Sequence, residues 1–513
     1  MTDSPGRAEP ASAERAAGDR SRWPLDAHRL TAAAPYLVLA FIFTLVYLAH
    51  PALPGNNLDH PQGWWGWWDQ SLYLRSAQAL GRLTLSPEAH WYPLGYSLLG
   101  APWTRIVPTH PFFFVNLFCL FGAFFCFVRI GRAMGIRDGI AALVFIGAVA
   151  ADWLIFWQFV IPWNTTPVML YVYLALAVTL RREPLDLGAA VLAATCAALV
   201  FVTRPSDMVM LAPIGLALIV RIWSGSPPAL ALKRMAGGAL AAGLICLAYG
   251  LLHTRIYGFA PSPYMVHSGA LGLNLADLPR KLYAVLVDPK PFYGEGQGLL
   301  QRAPWMILAL PALPLAIMKR SFAAGLLWAV VAVNVVFYAS YTDFLPHGIW
   351  RYNNIHYLKA SYPLVGLLAV YVVVNLLSVR AALVAGTMML AALSIDYRVL
   401  RGPIAAHVVD ENTIAFSLPS PRVASLVLSQ GKLDYKNVYF EDNVIRANGS
   451  TLRNIYDFRL IPVDGQIYLV FFRPLAASQI LLTFKAPHGF PVSEPIAVTG
   501  GKGTFRLRWP RLP

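Results

Sequence analysis

Eleven stretches of this chain are apolar for close to the length needed to cross a bilayer, and short connections join most of them. They fall at 32–48, 111–128, 139–160, 166–180, 187–203, 208–222, 235–253, 304–318, 322–341, 361–378 and 381–396. A helix needs about 20 apolar residues to span the hydrocarbon core. Several of these runs are shorter, and 187–203 with 208–222 also fits a re-entrant pair. Backbone placed in lipid must satisfy its own hydrogen bonds, so such runs fold as helices. Only 13% of the 513 residues are charged, 57% are hydrophobic and the mean hydropathy is +0.53. A soluble chain carries roughly a quarter charged residues. The expected fold is therefore mostly α, a polytopic transmembrane bundle of about eleven spans.

Charge orients the bundle. With the N-terminus inside, the inner connections hold Arg129, Arg132, Arg137, Arg181, Arg182, Arg221, Lys233, Arg234, Lys319, Arg320 and Arg380, eleven positive charges in 36 residues. The outer connections 51–110, 161–165, 204–207, 254–303 and 342–360 hold the same number over 138 residues. That fourfold bias places the N-terminus in the cytoplasm, and an odd span count puts the C-terminus on the far side. The same distribution accounts for the net charge of +15 through anionic lipid, which excludes nucleic acid as the expected partner and leaves membrane lipids.

Residues 1–30 are rich in Ala, Arg, Asp, Glu and Pro without apolar periodicity, the composition of a disordered cytoplasmic tail. The run 32–48 lacks a small-residue cleavage site and reads as an uncleaved first span. A transmembrane domain then covers 31–398, with large outer loops at 51–110, 254–303 and 342–360. Beyond Asp396 the composition changes. Segments 466–472, 479–484 and 504–509 mix β-branched and aromatic residues between turns, so 399–513 is expected to be a small β-rich domain outside the membrane. Within it, Ser420-Pro421 before 423–428 and Gly431 predicts one short helix with an N-cap, an early Pro and a terminal Gly. Cys119, Cys126, Cys196 and Cys246 all lie in apolar runs, as small buried hydrophobes do.

The residues able to carry chemistry cluster on the outer side. Trp64, Trp65, Trp67 and Trp68 surround one carboxylate, Asp69, and a helix there puts Asp69 and Tyr73 on one face. Asp69 reads either as a general base at the water–lipid boundary or as a helix cap or partner for Arg75 or Arg82. The tryptophans read either as a sugar-stacking platform or as an interfacial belt. In the loop before 361, Arg351, His356 and Lys359 gather positive charge able to grip a phosphate, or to touch ordinary lipid headgroups. Loop 254–303 contributes Arg255 and a lid with Gly294, Gly296 and Gly298 as hinges. Arg204, in Arg204-Pro205-Ser206-Asp207, either enters the pocket or snorkels while Asp207 caps the next helix. No P-loop, HExxH, GxSxG or Cys/His metal spacing is present in the sequence, so no nucleotide, metal or other cofactor is expected.

The run Asp69-Gln70-Ser71-Leu72-Tyr73 with Ala77 and Leu80, followed by Tyr92-Pro93-Leu94-Gly95-Tyr96-Ser97-Leu98-Leu99 and Pro102, resembles the first outer loop of GT-C-fold glycosyltransferases. These are polytopic enzymes related to protein O-mannosyltransferases and to the aminoarabinose transferases acting on lipid A. The resemblance implies a GT-C-like bundle in the bacterial inner membrane that moves a sugar from a polyprenyl-phosphate donor to a lipid, saccharide or protein acceptor on the outer face. It maps Asp69 onto the catalytic carboxylate and makes Tyr73 and Tyr92 substrate-binding residues. Arg351, His356 and Lys359, with Arg204 and Arg255 behind them, are then the groups that would meet the leaving phosphate. One position departs from the pattern: many relatives carry a second acidic residue where this chain has Asn164, which disfavours a two-carboxylate or metal-assisted route unless Asp152 reaches the site. A transporter or flippase, or an assembly protein for lipid-linked saccharides, is the competing class.

Overall fold

The computed structural model describes residues 27–49, 68–275, 277–350, 353–376, 378–418, 423–429, 442–463, 465–488 and 498–507. Most of the expected tail, Trp64, Trp65, Trp67, Arg351, Ser420, Pro421 and Gly431 lie outside them.

Each of the eleven apolar runs is helical over most of its described residues. In chain order these are α1 (Ala27–Ala49), then α2 (Trp68–Gly81) and α3 (Gly95–Gly100) in the first outer loop, and α4 (Phe112–Ala133). Next come α5 (Asp138–Ala150), α6 (Trp153–Val160), α7 (Thr165–Leu180), α8 (Leu187–Thr203), α9 (Met208–Ser224) and α10 (Pro228–Tyr257). Four short helices, α11 (Pro263–Leu271), α12 (Leu278–Leu286), α13 (Lys290–Tyr293) and α14 (Leu299–Arg302), fill the second large loop. A 3₁₀ turn, Pro304–Ala309, leads into α15 (Ala312–Met318), followed by α16 (Phe322–Ser340), α17 (Ser361–Asn375) and α18 (Val379–Ser394).

Among the described residues four helical segments are long and apolar enough to cross a membrane: Phe112–Ala133, Pro205–Ser224, Pro228–Tyr257 and Phe322–Ser340. This is a membrane protein, and its surface confirms the point. On α10, Leu240, Leu244, Leu247 and Leu251 recur at helical spacing and are all exposed, the reverse of a soluble core. The run 139–160 is not one straight span. It bends by 92° between α5 and α6, where Asp152 caps α6 by accepting from the Leu154 N–H at 2.8 Å and pairs with Arg302. A carboxylate that bonds the backbone at a helix start ends one helix and begins the next.

The chain leaves α18 directly into a nine-stranded antiparallel sheet ordered β5-β4-β8-β2-β1-β9-β3-β7-β6. The strands are β1 (Ile395–Val408), β2 (Thr413–Ser417), β3 (Val423–Ser429), β4 (Val444–Ala447), β5 (Ser450–Arg453), β6 (Phe458–Val463), β7 (Gln466–Leu475), β8 (Gln479–Thr483) and β9 (Val498–Leu507). Strand β1 joins two wings, pairing with β9 over residues 395–404 and with β2 over 405–408. Ile414, Phe416, Leu426, Ile445, Leu469 and Leu482 from both wings meet in one core. The short helix expected at 423–428 is instead strand β3, bonded on one side to β7 and on the other to β9. Two long-range ladders outweigh the local cap signals, as tertiary context regularly does for short segments.

The glycines expected as hinges are points of close packing. A Cβ on Gly294 would sit 2.4 Å from the Tyr468 ring, and one on Gly298 would sit 2.3 Å from the Val287 carbonyl oxygen. The second outer loop is thereby docked against β7.

Candidate active site

The described part of the 51–110 connection, residues 68–110, folds back on itself so that its aromatic turn meets the start of α2. Asp69 lies in the first turn of α2, where the helix dipole favours a carboxylate. The Tyr92 hydroxyl donates to Asp69 Oδ1 at 2.5 Å. Tyr73, one turn along α2, packs its ring 4.6 Å from that of Tyr92 and 5.2 Å edge-on to Tyr96. Burial first, and the Asp69 charge second, hold the Tyr92 phenol well above its ordinary pKa, so it stays a donor to the carboxylate.

Gly95 in the Tyr92-Pro93-Leu94-Gly95-Tyr96 turn has a specific task. A Cβ there would lie 2.4 Å from Thr203 Oγ1 and 2.8 Å from the Val202 carbonyl oxygen. Only glycine lets the turn close on the end of α8. The next residue after Thr203 is Arg204, so this contact carries the Asp69 loop to the arginine.

Arg204 is 6% exposed and lines the cavity. Its Nη1 donates to Asn164 Oδ1 at 2.8 Å, its Nε donates to the Tyr338 hydroxyl at 3.2 Å, and Asp207 Oδ2 lies 3.2 Å from Nε. The guanidinium also sits 4.9 Å over the Tyr357 ring. Of the two readings for this segment, the structure selects the pocket: Asp207 makes no side-chain cap and instead pairs with Arg204 and accepts from Tyr338. Asn164 orients a cation that Asp207 already balances, which gives a neutral side chain a purpose at that position.

Asp69, Tyr73, Tyr92, Arg204 and His356 line one cavity of about 360 Å³, together with Trp68, Trp163, Tyr264, His267 and Asp343. The remaining candidates fall elsewhere. Lys359 is buried behind the cavity wall, donating to the Gln158 carbonyl at 2.7 Å and to Thr166 Oγ1 at 2.6 Å. Arg255 is exposed on α10, away from the cavity lining. Arg351 lies outside the described residues.

His356 enters the cavity in a different guise from the expected cation. Its ring stacks on Trp163 at 4.0 Å with an interplanar angle of 6°, and Nδ1 faces the Asn353 carbonyl at 2.8 Å. A carbonyl accepts only, so Nδ1 holds the hydrogen and Nε2 keeps its lone pair. Burial first, then the Arg204 charge, keep its pKa well below the usual imidazole range, so the ring is neutral near neutral pH. Arg204 is therefore the cavity's buried cation.

Asp343 is the residue the sequence reading missed. It stands on the cavity wall and accepts from Arg459 Nη2 of β6 at 3.2 Å, across 116 residues of sequence. Its loop is fixed by Lys281 of α12, whose ammonium donates to the carbonyls of Tyr341, Thr342 and Phe344 at 2.7, 3.3 and 3.2 Å. Burial, outweighing Asp277, lowers the Lys281 pKa to about 8. Arg280 beside it bonds the Phe471 carbonyl at 3.1 Å, which ties α12 to β7 as well. Asp343 lies in the 342–360 connection already marked in the sequence for phosphate binding, and that placement was the signal available. Among the described residues no group of three His, Cys, Asp or Glu side chains is arranged to hold a metal ion.

No protein-family model matches this chain, and no curated protein matches it. Among solved structures, ArnT from Cupriavidus metallidurans in the apo state is similar over 72% of this chain and 63% of its own, with 15% identity and a TM-score of 0.44. ArnT from Cupriavidus metallidurans bound to undecaprenyl phosphate is similar over 71% of this chain and 64% of its own, with 14% identity and a TM-score of 0.43. The chain thus spans less than two thirds of the length of these ArnT structures.

Proposed function

We propose that this chain is a membrane glycosyltransferase, moving a sugar from a polyprenyl-phosphate donor to an acceptor hydroxyl on the outer face of a bacterial cytoplasmic membrane. The observation that supports this most directly is a carboxylate and a buried arginine lining one outer cavity, Asp69 with its Tyr92 partner and Arg204 with Asn164. The resemblance of the first outer loop to that of GT-C enzymes points the same way, and the charge bias supports an inner N-terminus and an outer C-terminus.

In this reading Asp69 takes the proton from the acceptor hydroxyl as its oxygen bonds the anomeric carbon of the donor sugar. The bond from that carbon to the phosphate oxygen breaks, and polyprenyl phosphate departs with the electron pair. Arg204 stabilises the charge developing on the leaving oxygen in a site of low dielectric. Tyr92 fixes the carboxylate, and Tyr73 and the neutral His356 offer polar edges to sugar hydroxyls. No step calls for a metal.

The test is sugar transfer by the purified full chain with a panel of polyprenyl-phosphate sugars, scored against Asp69→Asn. Loss of a general base lowers the rate by about 10²–10⁴-fold, and the variant should still insert and elute as a folded protein. Wild-type rates in Asp69→Asn would remove the carboxylate from the mechanism.

A further inference from the structure

A second groove, of about 500 Å³, lies beside the first, between residues 270–274 at the end of α11 and the β5–β6 turn. The two cavities share Leu271, and the 341–343 segment divides them: Tyr341 and Asp343 line the first, Thr342 the second. The segment is a turn, closed by the Phe344 N–H donating to the Tyr341 carbonyl at 3.2 Å, and its side chains diverge to the two sides, so one strip of backbone is a wall common to both.

Four rings run from one cavity to the other. Trp68 lies 6.1 Å from Trp91, Trp91 lies 6.4 Å from His267, and His267 lies 6.3 Å from Tyr456. The first three line the Asp69 cavity and the fourth lines the groove. None is fully buried. Half-exposed aromatic rings offer apolar area with little conformational entropy to lose, which suits the C–H faces of sugar rings.

The turn that holds Tyr456 is strained. Ile455 has φ +79°, a region that a β-branched residue adopts only under constraint. The constraint is visible: the Arg453 N–H donates to Asp457 Oδ2 at 2.8 Å and the Ile455 N–H to the Phe458 carbonyl at 2.9 Å. Such strain concentrates at binding and functional sites, and here it aims Tyr456 at His267. Asp457 is thereby engaged within the turn. Among the described residues the groove then carries two exposed guanidinium groups, Arg453, stacked 4.6 Å over Tyr456, and Arg473, against the one carboxylate of Asp457, an excess of positive charge. Arginine forks favour carboxylate and phosphate partners.

We propose that this groove is an acceptor subsite for a saccharide chain bearing acidic groups, led to the Asp69 cavity along the aromatic ledge. The proposal rests on the transferase reading above, deepening it by naming an acceptor class and giving the β domain a role. Binding separates the two, because it does not need Asp69. The full chain in detergent is titrated calorimetrically with tetragalacturonate and with neutral maltotetraose. Wild type and Asp69→Asn should bind the acidic probe alike, and the neutral one about tenfold or more weakly. Tyr456→Ala and Arg473→Gln should each weaken the acidic probe by about tenfold, while Tyr456→Phe, which keeps the ring, should not. Arg473 is exposed, so its variant reads binding even if the Tyr456→Ala turn misfolds. Equal binding of both probes, no binding of either, or Arg473→Gln at wild-type affinity would overturn the subsite. Intact transfer by Asp69→Asn would instead remove the catalytic reading and leave the groove standing.

Discussion

The two ends of the helical bundle, inner and outer in the orientation we propose from the charge bias, use arginine in opposite ways. At the inner end, Arg129, Arg132, Arg181 and Arg182 surround an open cleft at the C-termini of α4 and α7. Arg132 and Asp138 pair there with 63% and 48% of their side chains still exposed. At the outer end, Arg204 and Asp207 pair with 7% and 2% exposed, inside a shell of Asn164, Tyr338 and Tyr357. Water and counter-ions screen the inner charges. The outer pair is desolvated, so each partner depends on the other and on its hydrogen bonds. Charge is screened at one end and buried at the other.

The sharpest way to break this contrast is Asp207→Asn. Removing one partner of a buried pair leaves an uncompensated charge, at a cost of about 3–5 kcal/mol. The unfolding midpoint of the detergent-solubilised protein should fall by many degrees, and Arg204 should lose its fixed orientation toward the cavity. A midpoint within a degree or so of wild type would mean that Arg204 is balanced by something other than Asp207, and the outer end would no longer differ in kind from the inner one.

Lys281 tests the same contrast through pH. Its folded pKa of about 8 lies below the ordinary lysine value near 10.5. Between those two pH values the unfolded chain binds more protons than the folded one, so stability rises as pH rises through that window. A shift of this size corresponds to about 3 kcal/mol. Unfolding midpoints measured from pH 7.5 to 10 should climb for wild type, before base damage intervenes. In Lys281→Met, the three carbonyls of the 341–344 loop lose their donor and the climb should vanish. An identical slope in the variant would assign the pH dependence to another group.

Much of this architecture was legible because the bilayer imposes strong rules. Length and apolarity located the long apolar helices, though not the short helices α11–α14 of the 254–303 connection, and the four-residue spacing of Asp69 and Tyr73 placed both on the cavity side of α2. What stayed hidden depends on direction and on distance along the chain. Lys359 lies in the segment the sequence marked, but its side chain turns inward to Gln158 and Thr166. His356 is in the cavity yet neutral, since burial is a property of the packed state and not of the residue type. Asp343 has a partner, Arg459, in a different domain, and no local pattern announces such a pair. Strand β3 had helix punctuation at both ends, and only its two neighbours in the sheet decide otherwise. The bend at Asp152 is the intermediate case: a helix cap is readable locally, but its pairing with Arg302 is not.

The smallest effect belongs to the inner end, and it is the control that gives the other two their meaning. Arg132→Gln removes a geometrically good ion pair with Asp138. Both partners are largely in water, where Coulomb attraction is weak and holding two long side chains together opposes it, so exposed pairs contribute well under about 1 kcal/mol. The unfolding midpoint and the rate of sugar transfer should both stay at wild-type values, and the small stability change that remains should disappear in 0.5 M salt, where screening acts within roughly 5 Å. A loss comparable to that of Asp207→Asn would show that the inner cleft is an organised site in its own right, and that exposure is not what separates the two ends.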